Sequence, residues 1–319
     1  MTGRTMTVNG VELWLEEFGA AGGPGVVLVP GAASASDWWD EDFCLALAAG
    51  GHRVVRYDLR DTGQSVTRPL GDADYTGDDL VDDLAALIVD LGLAPVHVVG
   101  LSLGGGLAQQ LGIVHPELVR SLTLMSTSPG SDDLPGPSPE LSASFAEEPG
   151  EQSDDEPGDE PDDQQQSTDP QARDAYLARI VAEEHLFGGS IPVDDDRIRR
   201  IAGAVFDRSI DLEAGANQWA VPSASGTRQQ LADITAPTLV VHGTDDPLFP
   251  PAHGEALARE IPDARLLLIP GLGHQFPPPP TWPQLVQALL EHFHAAQRPI
   301  SRRDLEPQHE YSEPTRNSD

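Results

Sequence analysis

Short runs of branched apolar residues recur along the chain, at Gly25 to Val29, His52 to Tyr57, Val96 to Val99, Ser121 to Met125, Thr238 to His242 and Arg265 to Ile269. Runs this short, apolar at successive rather than alternate positions, read as strands buried on both faces. Helix-length segments separate them, among them Asp78 to Leu91, Ala252 to Ile261 and Gln284 to Ala295. The alternation predicts an α/β protein with a mostly parallel central sheet flanked by helices. Ahead of it, Thr5 to Gly19 reads as a hairpin, with Asn9-Gly10 as the tight turn between Thr5–Val8 and Val11–Leu15.

The rhythm stops between Pro129 and Gln230. Pro129 to Pro170 is rich in Pro, Gly, Ser, Asp, Glu and Gln and offers too little apolar surface to form a core element. Helical spacing returns between Asp174 and Trp219, as in Tyr176-Leu177-x-x-Ile180-Val181 and Ile198-x-x-Ile201-Ala202-x-x-Val205-Phe206. The organisation expected is therefore a core of two parts, residues 1–129 and 231–296. A helical cap (130–230) is inserted after a core strand and carries an acidic low-complexity insert at about 147–170. A polar tail, 297–319, closes the chain.

Charge narrows the list of partners. The 319 residues carry 52 acidic and 19 basic side chains, a net charge of -33, and every basic residue is arginine. Ten acids fall between Glu147 and Asp163, yet the rest of the chain stays strongly acidic, so nucleic acid is not an expected partner. Either a salt-adapted host or a GC-rich genome accounts for this balance. Met1 to Gly10 lacks the basic-then-apolar order of a secretory signal, and no apolar run approaches about 18 residues. A cytoplasmic protein with no membrane contact, monomeric or homodimeric, is expected. Cys44 is the only cysteine, so no intrachain disulfide can form, and it reads as a small core residue on the helix face Asp42 to Leu47.

The chemistry-bearing signal is Val96-His97-Val98-Val99-Gly100-Leu101-Ser102-Leu103-Gly104, a Gly-x-Ser-x-Gly pentad between an apolar strand and the proline-free helical segment Leu103 to His115. Gly100 and Gly104 flank Ser102 at the two positions where a strand and a helix must approach closely, which exposes the serine hydroxyl on a strained bend. A serine nucleophile needs a base and an orienting acid. Val240-Val241-His242-Gly243-Thr244-Asp245-Asp246-Pro247 puts carboxylates after one strand, and Leu267-Leu268-Ile269-Pro270-Gly271-Leu272-Gly273-His274 puts a histidine after the next. Both loops emerge at the C-terminal edge of the sheet, where such sheets bind ligands. His97, His115, His292 and His294 read as packing or surface residues, and His242 competes with His274 only by also ending a strand. As a nucleotide loop, Gly100 to Gly106 lacks Gly-x-Gly-x-x-Gly spacing.

Together these segments resemble the α/β-hydrolase superfamily over nearly the whole chain. The resemblance implies the order Ser, Asp, His and makes the fourth residue of the Gly-x-x-Asp turn the acid, which selects Asp246 over Asp245. It implies an oxyanion hole from the backbone N–H groups of Ala32 and Leu103, with Pro30 standing where many relatives have histidine. Asp58-Leu59-Arg60-Asp61-Thr62-Gly63-Gln64-Ser65 is similar to a loop that in this family shapes the pocket wall, so Arg60 is expected to be structural. A closer resemblance is carried by Ala32 to Phe43, Arg56 to Gly63, His97 to Ser102, Pro251-Ala252-His253-Gly254 and Ile269 to His274. These look like the aclacinomycin methylesterase group, hydrolases that cleave a methyl ester from polyketide anthracyclines.

The expected activity is thus hydrolysis of a carboxylic ester of a small apolar molecule through an acyl-enzyme, with no metal or organic cofactor. Relatives of this fold that use aspartate as nucleophile, the epoxide hydrolases and haloalkane dehalogenases, are excluded by Ser102. A cofactor-free perhydrolase or haloperoxidase, and a non-catalytic small-molecule receptor on the same scaffold, remain as alternatives. Trp38, Trp39, Phe187, Phe206, Trp219 and Phe249 are available to line an apolar pocket or to fill the core.

Overall fold

Asn9 and Gly10 both take positive φ, 48° and 80°, so β1 (Arg4–Val8) turns directly into β2 (Val11–Phe18) with Val8 opposite Val11. This is the twist-matched turn that Asn-Gly predicts. The computed structural model describes residues 3–146, 170–221 and 228–297. After the hairpin come β3 (Gly25–Val29), α1 (Glu41–Ala49), β4 (Arg53–Tyr57), α2 (Gly77–Asp90), β5 (Val96–Leu101), α3 (Leu103–Val114) and β6 (Val119–Met125). Among the described residues four α-helices follow before the sheet resumes: α4 (Pro139–Ala146), α5 (Pro170–Phe187), α6 (Asp195–Arg208) and α7 (Asn217–Ala220). The chain returns with β7 (Thr238–Gly243), α8 (Ala252–Glu260), β8 (Arg265–Ile269) and α9 (Trp282–Gln297).

The eight strands form one sheet in the order β1-β2-β4-β3-β5-β6-β7-β8, antiparallel through β2 and parallel from β4 onward. In β3, Val26 and Leu28 pack with Phe43 and Leu47 of α1 and with Leu285, Leu289 and Phe293 of α9. Val27 and Val29 face the other way, into Leu80, Leu84 and Leu87 of α2 and Leu107 and Leu111 of α3. Burial on both faces explains the unbroken apolar runs. At the far edge β8 obeys this less: Leu266 and Leu268 are exposed, and among the described residues no ninth strand pairs with β8.

The segment after Pro129 departs from its low-complexity reading in one place. Pro139–Ala146 is helical, with Ser138 Oγ accepting from Leu141 N at 3.2 Å and Leu141 fully buried. Ser-Pro-Glu at its start is a cap followed by a first-turn proline, a local signal that the composition masked. The acidic stretch Glu147 to Asp163 and the tail from 298 onward lie outside the described residues. The helices between β6 and β7 are tied to the core by ion pairs. Arg208 of α6 reaches Asp58 at 2.6 Å and lies over the Trp14 ring at 4.4 Å, and Arg197 reaches Asp40 at 3.0 Å. No helix among the described residues is long and apolar enough to cross a membrane.

Two core histidines link stability to pH. His97 accepts or donates at Ser121 Oγ, 2.8 Å away, and stacks on Phe293, while His292 Nε2 donates to Leu122 O at 3.0 Å. Burial is the first cause that pushes both down, His97 to about 3 and His292 to about 4, so both are neutral in the fold at pH 6. The unfolded chain binds these protons near pH 6.5, so stability falls as pH drops from there towards each depressed folded value. Urea midpoints measured from pH 7 to pH 4 are expected to decline, and His292→Gln, which keeps a donor for Leu122, is expected to flatten the slope. An unchanged slope in that variant would remove His292 from the account.

Candidate active site

The bend at Ser102 is as tight as the pentad requires. Ser102 has φ 52° and ψ -114°, its N–H donates to Met125 O at 2.9 Å, and Thr127 Oγ1 donates to its carbonyl at 2.8 Å. A Cβ on Gly100 would collide with the backbone of Gly104, and one on Gly104 with the carbonyls of Val29 and Pro30. The N-terminus of α3 thus sits against the loop leaving β3, where Ala32 lies.

The two later loops converge on this bend. His274 Nε2 stands 3.0 Å from Ser102 Oγ, and His274 Nδ1 stands 3.0 Å from Asp246 Oδ2. Asp246 is buried, and its Oδ1 accepts from Leu248 N at 3.0 Å and Phe249 N at 2.8 Å. Burial alone would raise its carboxyl pKa. The hydrogen bond with His274 leads the opposing causes, the Phe249 N–H adds to it, and together they hold the carboxyl below the usual carboxylate range. An ionised Asp246 can only accept, so His274 Nδ1 carries the proton and Nε2 presents its lone pair to the serine hydroxyl.

The sequence competitors fall elsewhere. Asp245 turns away from His274: it accepts from Thr244 Oγ1 at 2.8 Å and from the Ser190 backbone at 3.2 Å, joining β7 to the segment after α5. His242 Nε2 donates to Phe249 O at 2.7 Å and lies 3.6 Å from Asp246 Oδ2. Burial is the first cause that lowers its pKa. Arg60 forms a fork with Asp83, at 2.6 and 2.8 Å, as expected for a structural arginine.

A cavity of about 370 Å³ opens at the elbow, with Ala32, Ser102 and Leu103 on its wall. Leu103 is the first residue of α3, so its N–H has no partner within the helix and points from the positive end of the helix dipole. Among the described residues the remaining wall is uncharged: Leu80, Leu107, Ile113, Val221, Leu231 and Phe249 give apolar surface, and Gln109, Gln110, Thr127, Ser128 and Gln218 give polar atoms. Of the six candidate aromatics, Trp219 and Phe249 line this cavity, and Phe187 and Phe249 flank the His274 ring at 6.0 and 5.4 Å. Trp38, Trp39 and Phe206 pack instead into the interior. A larger groove of about 580 Å³ between α1 and α9 shares no residue with the elbow and holds no pair of reactive groups.

Three supports make contacts that the sequence did not signal. Phe187 O accepts from His274 N at 2.8 Å, fixing the histidine loop from α5. His253, in α8, bridges Ser128 Oγ at 2.9 Å and Pro135 O at 2.8 Å beneath Phe249. Gln218 of α7 bonds the loop that carries Ala32. All three link segments far apart in the chain, which no local spacing records.

Comparison with known proteins places the chain among similar sequences and folds. Rhodomycin D methylesterase of Streptomyces sp. (strain C5) is 31% identical over 304 residues, 93% of this chain and 99% of that one. The putative non-heme bromoperoxidase BpoC of Mycobacterium tuberculosis is 28% identical over 271 residues, 79% of this chain and 87% of that protein. A meta-cleavage product hydrolase from Pseudomonas fluorescens IP01 shares the fold at a TM-score of 0.69 and 18% identity, covering 92% of this chain and 98% of its own. Residues 24–277 match the family described as alpha/beta hydrolase fold, and with the sheet order and elbow described above the chain belongs to that family.

Proposed function

We propose that this protein is a serine hydrolase that cleaves carboxylic esters of small apolar molecules through an acyl-enzyme. The observation that carries the reading is the continuous line from Ser102 Oγ through His274 to Asp246, with both contacts at 3.0 Å. In the first half-reaction His274 Nε2 takes the Ser102 proton as Oγ bonds to the ester carbonyl carbon. The carbonyl oxygen becomes an oxyanion held by the N–H groups of Ala32 and Leu103, and Asp246 stabilises the imidazolium that forms. His274 then protonates the departing alcohol as the C–O bond breaks. In the second half a water gives its proton to His274 and attacks the acyl carbon, and His274 then returns that proton to Ser102 Oγ as the acyl C–Oγ bond breaks, which frees Ser102 and releases the carboxylic acid.

The uncharged cavity wall favours neutral, largely apolar acyl groups. The methylesterase relative suggests a methyl ester of a polyketide-like compound as the substrate. The test is a fluorophosphonate probe with mass mapping, run beside a panel of p-nitrophenyl and methyl esters. One phosphonate per chain on the Ser102 peptide and saturable ester turnover are expected. No adduct and no turnover, with tight binding of intact ester, would make the chain a receptor on this scaffold. The similarity to BpoC motivates a second assay, with hydrogen peroxide and a short carboxylic acid. Peracid formation faster than ester hydrolysis would transfer the same three residues to a perhydrolase.

A further inference from the structure

The loop leaving β3 carries the proposed oxyanion donor Ala32 and is followed at once by Ala33, which sits at φ 54°. An alanine in this left-handed region is disfavoured and stays there only when its surroundings hold it. What holds it comes from 185 residues away. Gln218 Oε1 accepts from Ala33 N at 2.8 Å, and its Nε2 donates to Arg60 O at 2.7 Å. Both ends of this buried amide are thereby spent on backbone, one on the loop after β3 and one on the loop after β4. Its neighbour Asn217 repeats the pattern, with Oδ1 accepting from Gly71 N at 2.8 Å and Nδ2 donating to Asp61 Oδ2 at 3.0 Å. Gly215 lies directly on Ala33, so close that a Cβ there would stand 3.1 Å from the Ala33 Cα. Gln218 also shares the cavity wall with Ala32, Ser102 and Leu103.

We propose that Gln218 is a positioning residue for the oxyanion-binding loop, so that the helices inserted between β6 and β7 complete the catalytic site of the core; this rests on the serine-hydrolase reading above. The bond to Ala33 N, acting with the bond from Ser34 Oγ to Ala32 O at 3.1 Å, fixes the peptide plane immediately after Ala32 and keeps the Ala33 backbone left-handed. The direction of the Ala32 N–H follows from that plane and from the packing of Pro30 against Gly104. An oxyanion donor acts on charge that exists only in the transition state, so its misalignment lowers kcat and leaves ground-state binding nearly unchanged.

The test compares Gln218→Met, which keeps side-chain length without the amide, and Gln218→Asn, whose shorter amide cannot span both loops. For a small neutral ester, kcat in Gln218→Met is expected to fall about 10- to 100-fold with KM within about threefold, and Gln218→Asn is expected to fall between it and the native enzyme. Affinity for a trifluoromethyl ketone, which forms the oxyanion on Ser102, should fall in step with kcat/KM. Amide hydrogen exchange over residues 31–36 should rise in both variants, a readout that does not depend on turnover. Unchanged exchange, or kcat within about twofold of native, overturns the proposal, as does a kcat loss with undiminished ketone affinity. A native protein that neither labels nor turns over overturns the hydrolase reading and this one with it, whereas an active native enzyme with an equally active Gln218→Met overturns this one alone.

Discussion

Ser102→Ala is expected to lower kcat for a carboxylic ester by about 10⁶-fold, roughly 8 kcal/mol of lost transition-state stabilisation, and to remove fluorophosphonate labelling altogether. The residual rate would come from binding and the oxyanion donors, which the substitution leaves in place. The fold should survive, because among the described residues the hydroxyl is bonded to His274 alone, and the bend is held through the Ser102 backbone by Met125 O and Thr127 Oγ1. Ser102→Gly separates activity from stability. A side chain at φ 52° and ψ -114° is strained, by about 1 to 3 kcal/mol for such backbone conformations, and glycine relieves it. The glycine variant is therefore expected to be as inactive as the alanine one but to melt higher, by about 2 °C or more. Stoichiometric labelling of Ser102→Ala would move the nucleophile elsewhere, and a glycine variant melting below the alanine one would remove strain from the account of the elbow.

The parts of this protein that were legible in its sequence are those specified by short-range physics. Two-sided burial makes β3, β5 and β7 read as unbroken apolar runs, and Asn9-Gly10 allows only a tight hairpin. Ser102, Asp246 and His274, the proposed nucleophile, acid and base, stand out because each lies on a distinctive turn after a strand. Where an element is defined by its neighbours the sequence is silent. The apolar run of β8 does not say that it is an edge, and a composition-based reading of Pro129 to Pro170 passes over the helix capped by Ser138. Trp39 and Trp219 look alike as candidate pocket residues, yet one is fully buried in the interior and the other is exposed at the cavity mouth. Gln218 is the strongest case, since one more glutamine in a polar stretch becomes a bridge only once α7 is laid across the loops after β3 and β4.

The adjacent acids give the sharpest contrast between chemistry and architecture. Asp246→Asn is expected to reduce kcat/KM by about 10⁴-fold, the scale on which serine hydrolases lose activity when the buried acid becomes an amide. The variant can still accept from Leu248 N and Phe249 N, so the turn should hold. What changes is the atom facing His274 Nδ1: an amide N–H there meets a ring N–H, the imidazole adopts its other tautomer, and Nε2 becomes a donor unable to take the Ser102 proton. Asp245→Asn leaves that line untouched and is expected to stay within about tenfold of native activity, with a lower melting temperature because its bonds to Ser190 and Thr244 weaken. The depressed pKa of Asp246 fixes the sign of the pH effect. Its contribution to stability is complete above the unfolded carboxyl value, about 3.9, and is lost as pH falls through the lower folded value. Native and Asp246→Asn proteins should therefore differ in stability near neutrality and converge in acid. Ester kinetics and thermal melts of both variants check this, and equal activity losses at Asp245 and Asp246 would leave the imidazole without an assigned acid.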